Sequence, residues 1–321
     1  MHSIGFGTWA WGNQILWGYN SHKDDLILEE TFIKAVKGGL SLIDTADSYG
    51  NFSLNGRSET LLGSFIEKLP ANLSSRVKVA TKLAPYPWRF GNRGFQKAFL
   101  ASRKRLRGNL NRVQLHWSTA RYAPWQEMPL INNLAFLCEQ GYVKELGLSN
   151  IGPQRLQIIY DHLSAKGIKL KSLQVQFSLL SSNSVSNNKK SLSELCKKLD
   201  IELIAYSPLA FGILTIPPKE IPKKSTLLRD SIFKRLLPSS KNLRKVMHNI
   251  AKDNNASMAQ VALNWCRAHS TIPIPGLRNP HQAEEAINAL KWKLTIKEKT
   301  QLDEANINCI ERMPNNPFQS K

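Results

Sequence analysis

Five groups of polar side chains close short apolar runs in this sequence: Asp44, Lys82, His116, the pair Ser149-Asn150 and the pair Tyr206-Ser207. A carboxylate, an ammonium and an imidazole are the side-chain types that hold and transfer protons in acid–base chemistry. Each has a bland explanation, because an Asp before a turn or a Ser-Asn pair after a strand caps a helix or turn equally well. Capping does not account for their recurrence at the same place in successive units.

The elements that must position them follow one rhythm, in which short runs rich in β-branched residues alternate with segments of helical period. The strands are expected at Ile4 to Thr8, Leu40 to Asp44, Val77 to Lys82, Arg112 to His116, Val143 to Ser149, Leu173 to Gln176, Glu202 to Ser207 and Thr271 to Pro275. Helices are expected at Leu26 to Lys37, Glu59 to Lys68, Gly94 to Arg107, Gln126 to Gln140, Gln154 to Lys166, Ser191 to Leu199 and Gln282 to Leu290, the first ending at Gly38-Gly39. A length of 321 residues suits two average domains or one barrel, and the alternation decides for a single (β/α)8 TIM barrel over 1–321. In such a barrel all strand ends meet at one mouth, where active sites sit. The seventh connection, Tyr206 to Thr271, is much longer than the others. It carries a Pro/Lys-rich stretch and helical patterns at Leu243 to Lys252 and Met258 to Arg267, and is expected to form an insertion over one mouth.

Several other function classes are disfavoured. Gly5-x-Gly7-x-x-Ala10, with Asp24 and Asp25 downstream, satisfies the dinucleotide fingerprint, but WAWGNQILWGYN does not read as a helix and too little chain precedes it for a central strand. Cys138, Cys196, Cys266 and Cys309 form no C-x-x-C pair and the seven histidines are scattered, so no metal site is expected and the thiols suit a reducing, cytoplasmic setting. No apolar run is long enough to span a membrane, and MHSIGFGTWAWGNQ lacks the features of a signal peptide. The net charge of +20 raises nucleic-acid binding. The lysines are spread, as in Lys189-Lys190, Lys197-Lys198, Lys223-Lys224 and KWKLTIKEK, so general surface basicity is expected and no specific nucleic-acid partner. The oligomeric state stays open.

The segments LIDTADSYG, SETLLG, VATKL, QLHW, VKELGLSN, AYSPLAFGILT and IPIPGLRNPHQAEEA follow the order and spacing of the aldo-keto reductases, and the chain resembles that family from Ile4 to about Leu302. FGTWAWGNQILWGY, QLHWSTARYAPWQE, QVQFSLLS, ALNWC and the PFQSK tail resemble its pyridoxal reductase branch. The resemblance implies NADPH-dependent reduction of a small-molecule carbonyl, with pyridoxal as substrate. Alternative implications are a broad-range aldehyde reductase or a non-catalytic NADPH-binding subunit similar to the potassium-channel β-subunits.

The family's catalytic tetrad falls on Asp44, Tyr49, Lys82 and His116. A phenol with an ordinary pKa of about 10 is a poor acid unless a nearby cation stabilises its phenolate. Lys82 supplies that cation, Asp44 holds the lysine, and His116 orients the carbonyl. For the nicotinamide, the resemblance assigns stacking to Tyr206 and the carboxamide to Ser149, Asn150 and Gln174. Gln176 shares a strand face with Gln174, and only the resemblance chooses between them. Thr8 and Trp9 border the cofactor, while Ser207, Leu209, Gly212 and Leu214 match the loop over the pyrophosphate. The connection Pro275-Gly276-Leu277-Arg278-Asn279 leads into a helix whose N-terminus, with an adjacent guanidinium, suits a 2′-phosphate and so NADPH over NADH. Gly276, Arg278 and Gln282 are the contacts there, and Glu285 faces the adenine. Ala286 stands where the family commonly has Asn.

Trp9, Trp88 and Trp117 are expected to wall the substrate, bordered by Arg89 and Tyr122. Trp11 and Trp17 are read as packing of the long first loop, and Glu59 in RSETLLG as structural. The family's usual N-terminal hairpin has no counterpart before Ile4, so it is either absent or lost through a late start.

Overall fold

The computed structural model describes residues 3–91, 93–182, 185, 191–220, 222, 226–314 and 316–320. Lys189-Lys190 and Lys223-Lys224 lie outside the described residues. The eight expected strands form as β1 (Phe6–Gly7), β2 (Leu42–Asp44), β3 (Lys78–Leu83), β4 (Arg112–Leu115), β5 (Glu145–Ser149), β6 (Leu170–Gln176), β7 (Glu202–Tyr206) and β8 (Ile272–Ile274). They pair in parallel in chain order. The ring closes where Gly5 and Gly7 donate their amides to Pro273 and Pro275 at 3.1 and 2.9 Å, and Gly7 bridges Gly276.

The helices pack outside this ring because each carries one apolar stripe. Ser21–Lys37 buries Leu28, Phe32, Ala35 and Val36 at helical spacing, with the Asn20 side chain capping its start. Arg57–Glu67 brings in the wholly buried Glu59, which pairs with Thr81 and Arg105, so the structural reading of this carboxylate holds. Gln96–Arg105, Pro124–Glu139, Pro153–Ser164, Leu192–Lys198 and Pro280–Asn288 complete the expected set.

The elements absent from the sequence reading include three helices. A one-turn helix, Gln14–Trp17, forms inside WAWGNQILWGYN because the Asn13 side chain accepts the Leu16 amide. The Rossmann alternative still fails, since β1 is one of eight strands in a closed ring. Helix Leu227–Ser239 was hidden by the Pro/Lys-rich stretch before it and by Pro238 in its last turn. Helix Ile296–Ile307 starts inside the KWKLTIKEK charge run, and its Thr295–Glu298 capping box was a legible start signal. The insertion between β7 and β8 holds a 3-10 segment, Ala210–Thr215, and helices Leu227–Ser239, Lys241–Asp253 and Met258–Ala268. Its first part borders a cleft at the mouth formed by the strand ends.

Candidate active site

At the ends of β2 and β3 the polar groups meet. The Lys82 ammonium donates to Asp44 Oδ2 at 2.5 Å and to the Thr45 carbonyl at 2.8 Å. The other Asp44 oxygen, Oδ1, accepts from Gln174 at 2.7 Å and from Gln114 at 3.2 Å. Gln114 can cross the barrel because residue 147 is glycine: a Cβ there would sit 2.9 Å from Gln114 Cγ and 2.6 Å from Ser172 Oγ. Asp44 is thus fixed from two sides.

Tyr49 lies five residues past Asp44, where its amide donates to Ala46 and closes a turn. The Lys82 ammonium stands 4.8 Å from the centre of its ring. Burial, with the negative charges of Asp44 and Asp47 adding to it, holds the Tyr49 phenol well above its ordinary pKa, so it stays protonated in the resting site. Burial also lowers Lys82, opposed chiefly by Asp44. His116 packs edge-on to Tyr49 with ring centres 5.8 Å apart. Burial and the charges of Lys82 and Arg89 drive it well below its usual value, which makes it neutral at pH 7. Its Nδ1 is 3.3 Å from Ser48 Oγ. Beside the site, burial pushes Asp47 up to about 6 against the Arg89 guanidinium that pairs with it.

From this acid–base cluster the cleft of about 1290 Å³ runs to Arg278, Gln282 and Glu285. Asp44, Tyr49, Lys82, His116, Ser149, Asn150, Gln174, Tyr206, Ser207, Leu209, Gly212 and Gly276 all border it, as do Trp9, Trp117 and Gln176. Asn150 adopts the left-handed conformation, with φ +59°, which turns its side chain under Tyr206, whose hydroxyl donates to Asn150 Oδ1 at 2.9 Å.

At the far end the helix Pro280–Asn288 begins with Asn279 accepting the Gln282 amide, and the Gln282 side chain accepts the Arg278 amide at 2.8 Å. The guanidiniums of Arg278 and Arg229 both lie 4.8 Å from the Trp17 ring centre. Two cations beside a helix N-terminus form a seat for a phosphate group. A long anionic cofactor with an amide-bearing ring therefore fits the residues present, the ring end beside Tyr206 and Asn150 and the phosphate end beside Arg278.

Some expected contacts point elsewhere. Thr8 is buried outside the cleft, its hydroxyl donating to the Asp44 carbonyl and accepting from Ser58. Leu214 is fully buried in the core rather than at the cleft wall. Trp88 is 70% exposed and stacks on Tyr86, outside the cleft lining. Gln174 and Gln176 do share a face, but the Gln174 amide is engaged by Asp44 and that of Gln176 by the Pro314 carbonyl at 3.3 Å. The Glu285 carboxylate is held by Ser257. Trp11 packs as expected, against Phe6 and Phe65, whereas Trp17 borders the cleft.

The sequence reading missed Gln114, Arg229, Asn316 and Phe318. Gln114 had a signal, since it is two residues before His116 and so on the same strand face. Arg229 lay in a stretch without a pattern, and the tail residues join the site only through tertiary folding.

A family model described as Aldo/keto reductase family matches residues 3–307. The chloroplastic pyridoxal reductase of Arabidopsis thaliana is 44% identical over 99% of this chain and 87% of its own length. The NADH-specific methylglyoxal reductase of Escherichia coli is 25% identical over 94% of this chain and 93% of its own. Among solved structures, an aldo-keto reductase from Klebsiella pneumoniae in complex with NADPH shares the fold at TM-score 0.72 and 22% identity, covering 99% of this chain and 95% of that one. Among the described residues no group of side chains suits a metal ion, and no helix is long and apolar enough to cross a membrane. With the profile match spanning the barrel, and the relative's identity extending through the tail, the chain belongs to the aldo/keto reductase family and is an oxidoreductase.

Proposed function

We propose that this chain, acting as one barrel domain over 1–321, reduces the aldehyde of pyridoxal to the alcohol pyridoxine with NADPH. The observation that carries the chemistry is the convergence of Asp44, Lys82, Tyr49 and His116 beside Tyr206 and Asn150 in one cleft. The bound nicotinamide supplies the hydride to the carbonyl carbon. Tyr49 gives its proton to the carbonyl oxygen as negative charge develops there, and the Lys82 ammonium stabilises the phenolate left behind. Neutral His116, in the tautomer whose Nδ1 accepts from Ser48, has Nε2–H for the same oxygen.

Arg278 and Arg229 favour the 2′-phosphate of NADPH over NADH. For the substrate, the support is the name of the Arabidopsis relative and the aromatic walls of the mouth. Trp117 stacks on Phe318 with ring centres 5.1 Å apart, and Trp9 borders the cleft. A flat pyridine ring gains about 0.5 to 1.5 kcal/mol from such stacking beyond its burial. Arg89 is tied to Asp47 and the Ala84 carbonyl, and Tyr122 to Trp117, so both sit as fixed polar groups around that wall. The free cysteines, three of them buried, suit a reducing compartment such as the cytoplasm. The partner is the small carbonyl alone, with the basic surface serving general solvation.

NADPH oxidation with a panel of aldehydes tests this. Pyridoxal should show a higher kcat/KM than butyraldehyde, and borohydride during turnover should trap no pyridoxyl adduct on Lys82, because that nitrogen is held as an ammonium by Asp44. Equal kcat/KM values would reduce the reading to a broad-range aldehyde reductase, and an adduct would overturn direct reduction.

A further inference from the structure

The segment after helix Ile296–Ile307 folds back across the cleft. The Met313 amide donates to the Leu180 carbonyl, the Gly152 amide donates to Ser320 Oγ at 3.0 Å, and Arg121 donates to the Pro317 carbonyl at 3.1 Å. Phe318 lies on Trp117, and its amide donates to Asn316 Oδ1 at 2.9 Å. This places the Asn316 amide nitrogen 3.1 Å from Asn150 Oδ1 and 2.9 Å from the Tyr206 hydroxyl.

The hydrogen bonds of Asn150 are then complete. Its amide nitrogen gives both protons, to the His116 carbonyl and to Ser149 Oγ, each at 3.1 Å. Its oxygen takes two, from Tyr206 and Asn316. A primary amide has four such positions, and a further donor has to replace one already present. The group expected on Asn150 is itself a primary amide, the nicotinamide carboxamide, with its ring stacked on Tyr206. Asn316 offers the same chemical group to Asn150 and bonds the Tyr206 hydroxyl beside it.

We propose that Asn316 is a further residue of the nicotinamide site, whose side-chain amide stands in for the cofactor carboxamide and is exchanged for it on binding. The exchange releases the Asn316 side chain from Asn150 Oδ1 and the Tyr206 hydroxyl, leaves the Ser320 amide on the Asn150 carbonyl at 3.2 Å as the tail's other tie to that residue, and loosens Phe318 on Trp117. The inference rests on the nicotinamide reading of the cleft, and cofactor binding without substrate separates the two.

NADP⁺ is titrated into the full chain and followed by quenching of tryptophan fluorescence. Asn316→Ala removes the competitor, so the Kd should fall about three- to ten-fold, the worth of one or two displaced neutral hydrogen bonds. In parallel, carboxypeptidase digestion read by mass spectrometry should release Ser320, Gln319 and Phe318 faster from wild type with NADP⁺ than without it. An Asn316→Ala variant that binds NADP⁺ equally or more weakly, or a tail that NADP⁺ protects, would overturn the exchange while leaving the cofactor reading intact. Wild type that binds no NADP⁺ would overturn both.

Discussion

The Lys82 ammonium lies 2.5 Å from the Asp44 carboxylate, with side chains only 1% and 5% exposed. Removing either partner of a buried pair leaves an uncompensated charge and costs about 3 to 5 kcal/mol of stability. Lost activity in Lys82 or Asp44 variants therefore mixes chemistry with unfolding. Tyr49→Phe avoids this, because the phenol makes no such pair. Carbonyl reduction should fall roughly 10² to 10⁴-fold with NADPH affinity unchanged. Near wild-type turnover would remove Tyr49 as proton donor.

Gln114 positions Asp44 rather than touching the reacting atoms. Its amide stabilises the carboxylate, so Gln114→Met should let Asp44 draw harder on the Lys82 proton and weaken the cation beside Tyr49. We expect kcat to fall about 10-fold or more, the worth of one hydrogen bond to a charged group, with NADPH Kd unchanged. The alkaline limb of the reductase profile should move to higher pH. Gly147→Ala should act in the same direction by pushing Gln114 aside. A variant that loses only thermal stability, with kcat and the pH profile intact, would make Gln114 a packing residue.

Arg278→Ala should weaken NADPH more than NADH. A charge-assisted hydrogen bond to the 2′-phosphate contributes on the order of 1.5 to 3 kcal/mol, so the preference should narrow about ten-fold or more. Arg229, on the same Trp17 ring, should preserve a residual preference. Equal loss for both nucleotides, measured by direct titration, would argue against a phosphate contact.

Asp47 provides a test of electrostatics in the opposite sense to most carboxylates. Its pKa is raised from 3.8 to about 6. Between these values the folded state binds more protons than the unfolded state, so stability falls as pH rises from about 4 to 6. At 1.36 kcal/mol per pH unit the contribution is on the order of 1 to 3 kcal/mol. Urea unfolding of Asp47→Asn should lack this fall, and its stability relative to wild type should improve across that window. A gap independent of pH would mean Asp47 stays ionised throughout.

The fold was legible because barrel strands carry apolar runs of the right length, and the polar cluster in part because Asp44, Lys82 and His116 each close one, whereas Tyr49 entered only through the family resemblance. The second polar layer was harder to read. Gln114 looks like one more residue in an apolar strand until the Gly147 gap shows where its side chain goes. Thr8 was expected at the cofactor, but a hydroxyl beside β2 finds the Asp44 carbonyl first. Asn316 is 166 residues from Asn150, and no local period links them. Trp17 was read as packing because sequence gives no sign of the two guanidiniums that lie on it.

The seam where β8 meets β1 also bears on how the barrel breathes. β1 spans two residues, and the amides of Gly5 and Gly7 hold the ring closed there, while β6 and β7 pair over five positions from Ser172 to Gln176. Local opening should concentrate where fewest backbone bonds must break, so the Gly5 and Gly7 amides should exchange with solvent deuterium sooner than those of Leu173 and Val175. Gly7 and Gly276 also border the cleft. A dinucleotide lying across them would bind the closed ring in preference to the open one, and its affinity would be measurable as protection of the weakest joint in the fold.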